Sequence, residues 1–343
     1  MVVLVFDNQK YTPQCKAACQ AKRRTRAKQL PTDIKIGMRE ELPEDWYALM
    51  ATTKLRLRMF AFLLEELQKR LRSILPHELP EGAAVYCSPP FLEYARSTID
   101  PTVMQDTLEH KTAYLQGDPL EMTETNLLPS LPTIQQGEGD LLCKVWAEHL
   151  AAHLPRRASQ KAEDTRIMVK SKDWDTVCAF LTTPPQCQVR VHVGDIKPKK
   201  STDRKKLEFV NINEFYKTVF KDNQQLAVNY VLGNILSGSD YCEGVYGLSG
   251  RAMLRTLLQM PASAHAVNIS GRNVQISRKR LHGWLQKSKR GQKPVRLQPR
   301  MMKRAVWNLV YWLQLRKIPD PIEYGGWDYE RNGTLMPVLD TLK

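Results

Sequence analysis

The stretch Arg166-Ile-Met-Val-Lys-Ser-Lys-Asp-Trp-Asp175 passes from a short apolar segment into two acids that are two residues apart. The apolar segment predicts a buried strand over 166–169. A second run, Val2-Val-Leu-Val-Phe6, is rich in β-branched residues, predicts a buried parallel strand and ends at Asp7. Ligands of open α/β sheets bind at the carboxyl ends of strands, so we expect Asp7 and Asp173 at that edge.

Helical and strand patterns alternate on both sides of this stretch. The longest helical pattern has apolar residues at intervals of three and four, as expected for a helix with one buried face. Strands that alternate with helices over the first two-thirds predict an α/β sheet, and the last third predicts a smaller helical annex. Helices are predicted at 16–28, 46–75, 102–116, 140–154, 212–219, 224–236 and 301–315, and further strands at 83–87 and 188–193.

The overall charge indicates a polyanionic partner. The chain of 343 residues has 51 Lys and Arg against 36 Asp and Glu, a net charge of +15. No apolar run approaches the roughly 20 residues of a spanning helix, so we expect no membrane contact. Seven cysteines without a Cys-x-x-Cys pair predict thiols in a reducing intracellular compartment. The basic run 197–206 favours the nucleus, although a solvated loop is an equal interpretation.

Acids in such a basic chain are informative because carboxylates oppose nucleic-acid binding unless metal ions neutralise them. Gly137-Glu-Gly-Asp140 and Lys172-Asp-Trp-Asp175 each place two acids two residues apart, and Ser239-Asp-Tyr241 adds a third cluster. A turn can present such a pair to one Mg²⁺ or Mn²⁺, and two such ions can hydrolyse a phosphodiester. Each cluster taken singly is also compatible with an ordinary solvated turn.

The third cluster precedes a glycine-rich turn. Gly244, Gly247 and Gly250 recur at intervals of three and open an amphipathic helix that begins near Arg251. Glycines allow backbone N–H groups to approach a phosphate at the start of a helix. This stretch resembles the helix-two-turn-helix element of the flap endonuclease and Rad2/XPG-type structure-specific 5′ nucleases.

Other segments follow in the order of that family. Val-Leu-Val-Phe-Asp7, with Pro13, Lys16 and Lys22-Arg23-Arg24, is similar to its second-strand motif. Gly-Glu-Gly-Asp140 matches its Glu-x-Glu position and resembles still more the Gly-Glu-Gly-Glu of related 5′ exoribonucleases. Ser-Lys-Asp-Trp-Asp175 matches its Asp-x-Asp. The resemblance implies a PIN-like domain with a mostly parallel central sheet flanked by helices, plus a helical helix-two-turn-helix annex.

The resemblance also implies roles for individual residues. Lys16 and Arg23 would contact the scissile phosphate, and the turn with Gly244, Gly247, Gly250 and Arg251 would bind duplex backbone. A potassium ion could occupy this turn, as in some family members. Two Mg²⁺ or Mn²⁺ ions would be held by Asp7, Glu138, Asp140, Asp173, Asp175 and Asp240.

The chain departs from the family pattern at several points. It starts at the family's second strand, so the first-strand Asp has no counterpart in the sequence. Asp140 replaces a Glu, Asn8 replaces a Gly and Ser249 stands where the second turn glycine is expected. The long intervals between motifs indicate insertions and a divergent member, for which a viral origin is a hypothesis.

The expected organisation is a nuclease domain over 1–225 with a basic helical insert at about 16–75, a helix-two-turn-helix element over 226–265 and a basic helical region over 266–343. The expected partner of this monomer is DNA with a 5′ flap, nick or junction, or RNA, and no sliding-clamp peptide is seen. Two alternatives stay open. One is an RNase of the same superfamily that degrades mRNA, and the other is a catalytically dead scaffold that binds nucleic acid.

Overall fold

The computed structural model of the chain describes residues 2–5, 30–36, 45–52, 54–56, 58–59, 62–63, 66, 69, 85–88, 132, 138–154, 164–196, 206–240, 242, 244–270, 273–289, 294–313 and 334–335. Contacts divide the chain into two compact units. The first comprises Met1–Thr12, Ala17–Leu142 and His153–Pro155, and the second Pro13–Lys16, Cys143–Ala152 and Arg156–Lys343. The described elements form a mixed α/β protein, as the sequence predicted.

In chain order the elements are β1 (Val2–Val5), α1 (Trp46–Ala51), β2 (Val85–Ser88), α2 (Gly139–His153), β3 (Arg166–Lys170), α3 (Trp174–Leu181), β4 (Gln188–Ile196), β5 (Lys206–Asn211), α4 (Ile212–Phe220), α5 (Gln224–Ser237), α6 (Gly250–Leu258), a 3₁₀ turn (Ala262–Ala264), β6 (Val267–Ser270), β7 (Asn273–Ser277), α7 (Arg278–Ser288), α8 (Pro299–Trp312) and β8 (Thr334–Leu335). The helices predicted at 16–28 and 102–116 lie outside the described residues.

The first unit contains a parallel strand pair and a small apolar core. β1 runs parallel to β2, with Val2 opposite Val85, so both predicted strands are confirmed. Leu49, Leu55 and Met59 are buried together, and partly buried apolar side chains pack against them. The described turns of the predicted amphipathic helix therefore pack into the core of the first unit.

The predicted helix over 46–75 is interrupted at Thr52. This residue ends α1 in an extended conformation, and its hydroxyl donates a 3.0 Å hydrogen bond to the carbonyl of Ala48. Helical residues resume at 54–56 and recur to residue 69. The same hydroxyl accepts a 3.0 Å hydrogen bond from the backbone N–H of Leu30, a contact remote in sequence that accompanies the break.

The second unit is built on a mixed three-stranded sheet in the order β3-β4-β5. β3 and β4 are parallel, and β5 is antiparallel to β4 with a register shift between His192 and Gly194. The helices α3 and α4 pack against β4, and Val169, Val189 and Val191 are buried beneath them. The described part of this sheet is thus mixed.

Helix α5 lies at the centre of the second unit, where it contacts α3, α4, α6, α8 and β6. Its residues are apolar on almost all sides, as expected for a helix buried all round. Asn229 lies fully buried on it, and its side-chain oxygen accepts hydrogen bonds of 2.9 Å from the N–H groups of Ala266 and Val267. This amide therefore fixes the start of β6 to α5. Position 225 is the expected end of the nuclease domain, and the residues on both sides of it belong to the second unit.

The packing of α5 near α7 depends on a glycine. A Cβ atom at Gly233 would lie 2.4 Å from the Trp284 ring, which is a closer approach than side chains tolerate. Trp284 is itself buried and donates from Nε1 to the Met253 carbonyl at 3.2 Å. Gly233 thus makes room for the ring that joins α7 to α6.

The last third differs from the predicted helical annex because it also contains a sheet. β6 and β7 form an antiparallel hairpin, and β8 pairs with β7. Val267, Val274 and Ile276 point their apolar side chains into the interior. The predicted helix at 301–315 is confirmed as α8.

None of the helices in the described residues has the length and apolarity required to cross a membrane. Within the same part of the chain, Cys143, Cys178, Cys187 and Cys242 are thiols.

Candidate metal site and nucleic-acid interface

The strand-to-helix junction between β3 and α3 places two predicted ligands together. β3 ends at Lys170, and Asp173 is the N-cap of α3. Its carboxylate accepts a 3.0 Å hydrogen bond from the backbone N–H of Asp175. Asp173 is exposed and Asp175 half-buried. Both acids therefore lie in one turn at the carboxyl end of a parallel strand, as the sequence predicted.

Two hydrogen bonds involving side chains fix this junction further. The hydroxyls of Ser171 and Thr176 are 2.7 Å apart, and the N–H of Asp173 donates to the Ser171 hydroxyl at 3.2 Å. N-capping alone is a sufficient structural reason for an acid at position 173. One carboxylate oxygen of Asp173 accepts the capping hydrogen bond, and the second oxygen of a carboxylate can bind a cation.

A neighbouring charge cluster was not found by sequence reasoning. Asp195 accepts from Lys172 Nζ at 2.6 Å and lies 3.1 Å from His192 Nε2. The hydrogen bond from Lys172 holds the pKa of Asp195 below its ordinary value. The alternation of 188–193 could have been extended to reach Asp195, but its pairing partner depends on tertiary structure. This cluster neutralises an acid beside the junction.

Glu138 and Asp140 lie at the start of α2. The carbonyl oxygen of Glu138 accepts from the N–H of Leu142 at 2.9 Å, so Glu138 begins the first helical turn. Its side chain is 1% exposed, whereas Asp140 in the first turn is half-buried. Acids in the first turn are favoured by the helix dipole, which gives this pair a structural reason of its own.

The glycine turn (residues 244–250) leads into α6, and Gly238 caps the end of the preceding helix α5. Gly238 and Gly247 have φ values of 122° and 83°, a region that favours glycine. A Cβ at Gly244 would lie 2.4 Å from the carbonyl oxygen of Ser237. The N–H of Val245 donates to the Leu236 carbonyl at 2.8 Å, which closes the turn back onto α5.

The turn leads into a helix with a cationic face. Ser249 caps α6 by accepting from the N–H of Ala252 at 3.3 Å. Arg251 and Arg255 are exposed and one turn apart, while Met253 and Leu257 are buried on the opposite face. This arrangement can present two guanidinium groups to a phosphate backbone.

The remaining predicted ligand, Asp240, precedes the glycine turn. It is half-buried in a loop closed by reciprocal backbone hydrogen bonds between Ser239 and Cys242, at 3.1 and 3.3 Å. Asp7, Lys16 and Arg23 lie outside the described residues. Glu138 and Asp140 are assigned to the first unit, and Asp173, Asp175 and Asp240 to the second.

The donors suit a hard cation, since carboxylate oxygens are the ligands that Mg²⁺ and Mn²⁺ prefer. Among the residues that the structure describes, no three His, Cys, Asp or Glu side chains form a group placed to hold a metal ion. The Asp173 and Asp175 pair fits a shared ion in chemical type, and a complete site would need further carboxylates.

Comparison of the chain with protein-family models, with characterised proteins and with solved structures gives no match.

A buried lysine is the other polar feature that sequence reasoning missed. Lys144 on α2 is 1% exposed and donates to the Thr182 hydroxyl at 2.7 Å and to the Trp312 carbonyl at 2.9 Å. Burial lowers its pKa, and Glu148, 3.6 Å away, acts in the opposite direction. The sequence contained a signal for this burial, because Lys144 lies among apolar residues and the helix places it on their buried face.

Proposed function

We propose that the chain is a divalent-metal-dependent, structure-specific 5′ nuclease of the flap endonuclease superfamily, with a PIN-like catalytic domain and a helix-two-turn-helix element. The observation that carries the proposal is the position of Asp173 and Asp175 in one turn at the carboxyl end of β3. That edge of a sheet is where α/β proteins bind ligands. The closed glycine turn with Arg251 supports the second half of the proposal.

The proposed chemistry is hydrolysis of a phosphodiester. The bound Mg²⁺ or Mn²⁺ ions would supply a metal-activated water and neutralise charge at the leaving oxygen. Lys16 and Arg23 would orient the scissile phosphate and stabilise its charge. The carboxylates that would hold the ions are Asp7, Glu138, Asp140, Asp173, Asp175 and Asp240.

Away from the cut, the glycine turn and α6 would bind the phosphate backbone without reading bases. Exposed Arg251 and Arg255 provide the charge, and the backbone of the turn provides close approach. A potassium ion held by backbone carbonyls of residues 244–250 is part of the same proposal. The +15 net charge agrees with a polyanionic substrate.

The test is a cleavage assay on a 5′-flap DNA, a nicked duplex and single-stranded RNA, each with Mg²⁺, Mn²⁺ or EDTA. Asp173→Asn is the informative variant because Asn caps helices as well as Asp but does not supply a carboxylate. Asp222→Asn is the matched control, since Asp222 is exposed in a left-handed turn that Asn also tolerates.

Metal-dependent cutting that is lost in Asp173→Asn and kept in Asp222→Asn supports the nuclease. Preference for RNA would select the RNase alternative. Binding without cutting under any metal would refute the enzyme and favour the dead scaffold.

A further inference from the structure

We propose that the face of the β3-β4-β5 sheet away from α3 and α4 binds single-stranded nucleic acid through its phosphates and bases. The opposite face is covered by α3 and α4, whereas this face has exposed side chains. It extends beyond the function proposed above because none of its residues belongs to the metal site or to the glycine turn. We call it the open face and define it by Arg166, Met168, Lys170, Arg190, Leu207 and Phe209.

The strand register brings these side chains onto one surface. Met168 pairs with Arg190, and Lys170 pairs with His192, which pairs in turn with Phe209. Directly opposed residues on one face of a sheet lie about 5 Å apart, and alternate residues along a strand about 7 Å apart. Cationic and apolar side chains therefore alternate across the open face at near-neighbour distances.

The charge of the open face favours an anionic polymer. Arg166, Lys170 and Arg190 are exposed, and the strand positions 166–170 and 188–192 contain no carboxylate. Asp195, which lies opposite Leu207 in the strand register, is paired with Lys172 and His192. Three cations on a shallow surface can each contact a phosphate, and such phosphate contacts supply most of the affinity of proteins for nucleic acid.

The apolar side chains favour a single strand over a duplex. Met168 is 68% exposed and Leu207 is 53% exposed, although large apolar side chains on a sheet usually face a core. The half-buried Phe209 ring packs on the buried His192 ring with centroids 5.4 Å apart, next to Lys170, so Phe209 is the ring that a base can reach. Unstacked bases can contact such a surface, whereas a duplex keeps its bases stacked inside and presents its backbone.

The experiment measures fluorescence anisotropy of labelled single-stranded DNA, single-stranded RNA and duplex DNA with the full chain, without divalent metal. The charge variant is Arg166→Gln/Arg190→Gln. Its matched control is Lys217→Gln/Lys221→Gln, which removes two exposed charges at α4, on the covered side of the sheet. We expect at least about 10-fold weaker single-strand binding in the charge variant and a change below about 2-fold in the control, since lost phosphate contacts weaken binding and distant charges are screened.

The salt dependence gives a second readout. Each lost phosphate contact should reduce the slope of log K against log salt by about 0.7 for a single strand, so the charge variant should lose about 1.4. Met168→Ala tests the base contact. It should weaken binding of an ordinary oligonucleotide several-fold and leave binding of an abasic oligonucleotide of the same length unchanged.

Three results would each refute binding at the open face. They are an equal loss of affinity in the charge variant and the control, wild-type affinity in the charge variant, and no binding by the wild-type chain. Binding that depends on the open face without any cleavage would refute the proposed nuclease and support the proposed binding surface. Cleavage together with binding that is unaffected by the open-face variants would support the nuclease and refute the binding surface.

Discussion

The ammonium group of Lys144 lies 2.9 Å from the carbonyl oxygen of Trp312, although 168 positions separate the two residues. Trp312 is the last residue of α8, and Thr182, the other acceptor of Lys144, caps the end of α3. Carbonyl groups at the ends of helices lack intrahelical partners and favour cations. One buried ammonium group therefore satisfies the carbonyl at the end of α8 and also binds the hydroxyl of the residue that caps α3.

Replacing Lys144 by Met should lower the free energy of unfolding by about 2 kcal/mol, because the Trp312 carbonyl would lose a buried donor. Chemical denaturation monitored by tryptophan fluorescence would measure the change. The exposed Lys217→Met variant should alter stability by less than about 0.5 kcal/mol. Equal stabilities of the two variants would mean that the buried hydrogen bonds only offset the cost of burying the ammonium group.

Gly244→Ala should destabilise the chain by about 1–3 kcal/mol, since the new methyl group would meet the Ser237 carbonyl at 2.4 Å. Gly283→Ala is the matched control on the exposed side of α7, where a Cβ meets nothing within 4 Å. It should stabilise the chain by about 0.5–1 kcal/mol through better helix propensity. Thermal melts of both variants give the comparison, and a neutral Gly244→Ala would show that the turn relaxes.

The cap at Asp173 separates folding from function. Asp173→Ala should cost about 1 kcal/mol of stability, whereas Asp173→Asn should cost almost none because Asn also caps α3. Urea denaturation of both variants checks this difference. If the two variants were equally unstable, the carboxylate charge, and not its hydrogen bond to Asp175, would be the stabilising feature.

His265 should make the fold sensitive to acid. It is 7% exposed, neither ring nitrogen has a hydrogen-bond partner within the described residues, and burial lowers its pKa. The unfolded chain therefore takes up the proton first, so this residue's contribution to stability is lost as the pH falls below about 6.5, by up to about 1.4 kcal/mol per pH unit.

Denaturation at several pH values would compare His265→Leu with the exposed control His153→Gln. The slope between pH 6.5 and 5 should become flatter in His265→Leu and stay unchanged in the control. Parallel slopes in all three proteins would contradict the assignment.

Tyr230 should act at the alkaline end. Burial raises its pKa to about 12, so the unfolded chain loses the phenolic proton first and stability falls between about pH 10 and 12. Tyr230→Phe should remove about 1.4 kcal/mol of this loss per pH unit. Stability curves to pH 11 measure it, with Tyr246→Phe, at a ring 90% exposed, as the control that should leave the curve unchanged.

Periodicity was sufficient to predict the elements that carry the candidate site. The strand before Asp173, the helix after Gly250 and the buried helix over 224–236 follow from apolar spacing that the tertiary structure does not override. The break at Thr52 was missed because it leaves the apolar spacing intact, and the hydroxyl's contact with the Leu30 N–H is remote in sequence.

The hairpin of β6 and β7 had a signal in the sequence, but the last third of the chain was predicted to be helical. Apolar residues alternate at 267, 269, 274 and 276, and the two strands are separated by two residues that include a glycine. The contacts of Lys144 had no such signal, because its partners are remote in sequence and one of them is a backbone carbonyl. The pairing of Asp195 with Lys172 is likewise set by the sheet register.

The close approach of Gly233 to Trp284 restricts how this chain can diverge. A side chain gained at position 233 would occupy the space of the indole, so it would have to be accompanied by a smaller residue at position 284. That smaller residue would in turn give up the hydrogen bond to Met253. Related chains that have lost the glycine should therefore also lack the tryptophan, whereas chains that keep the glycine are free to keep or lose the indole ring.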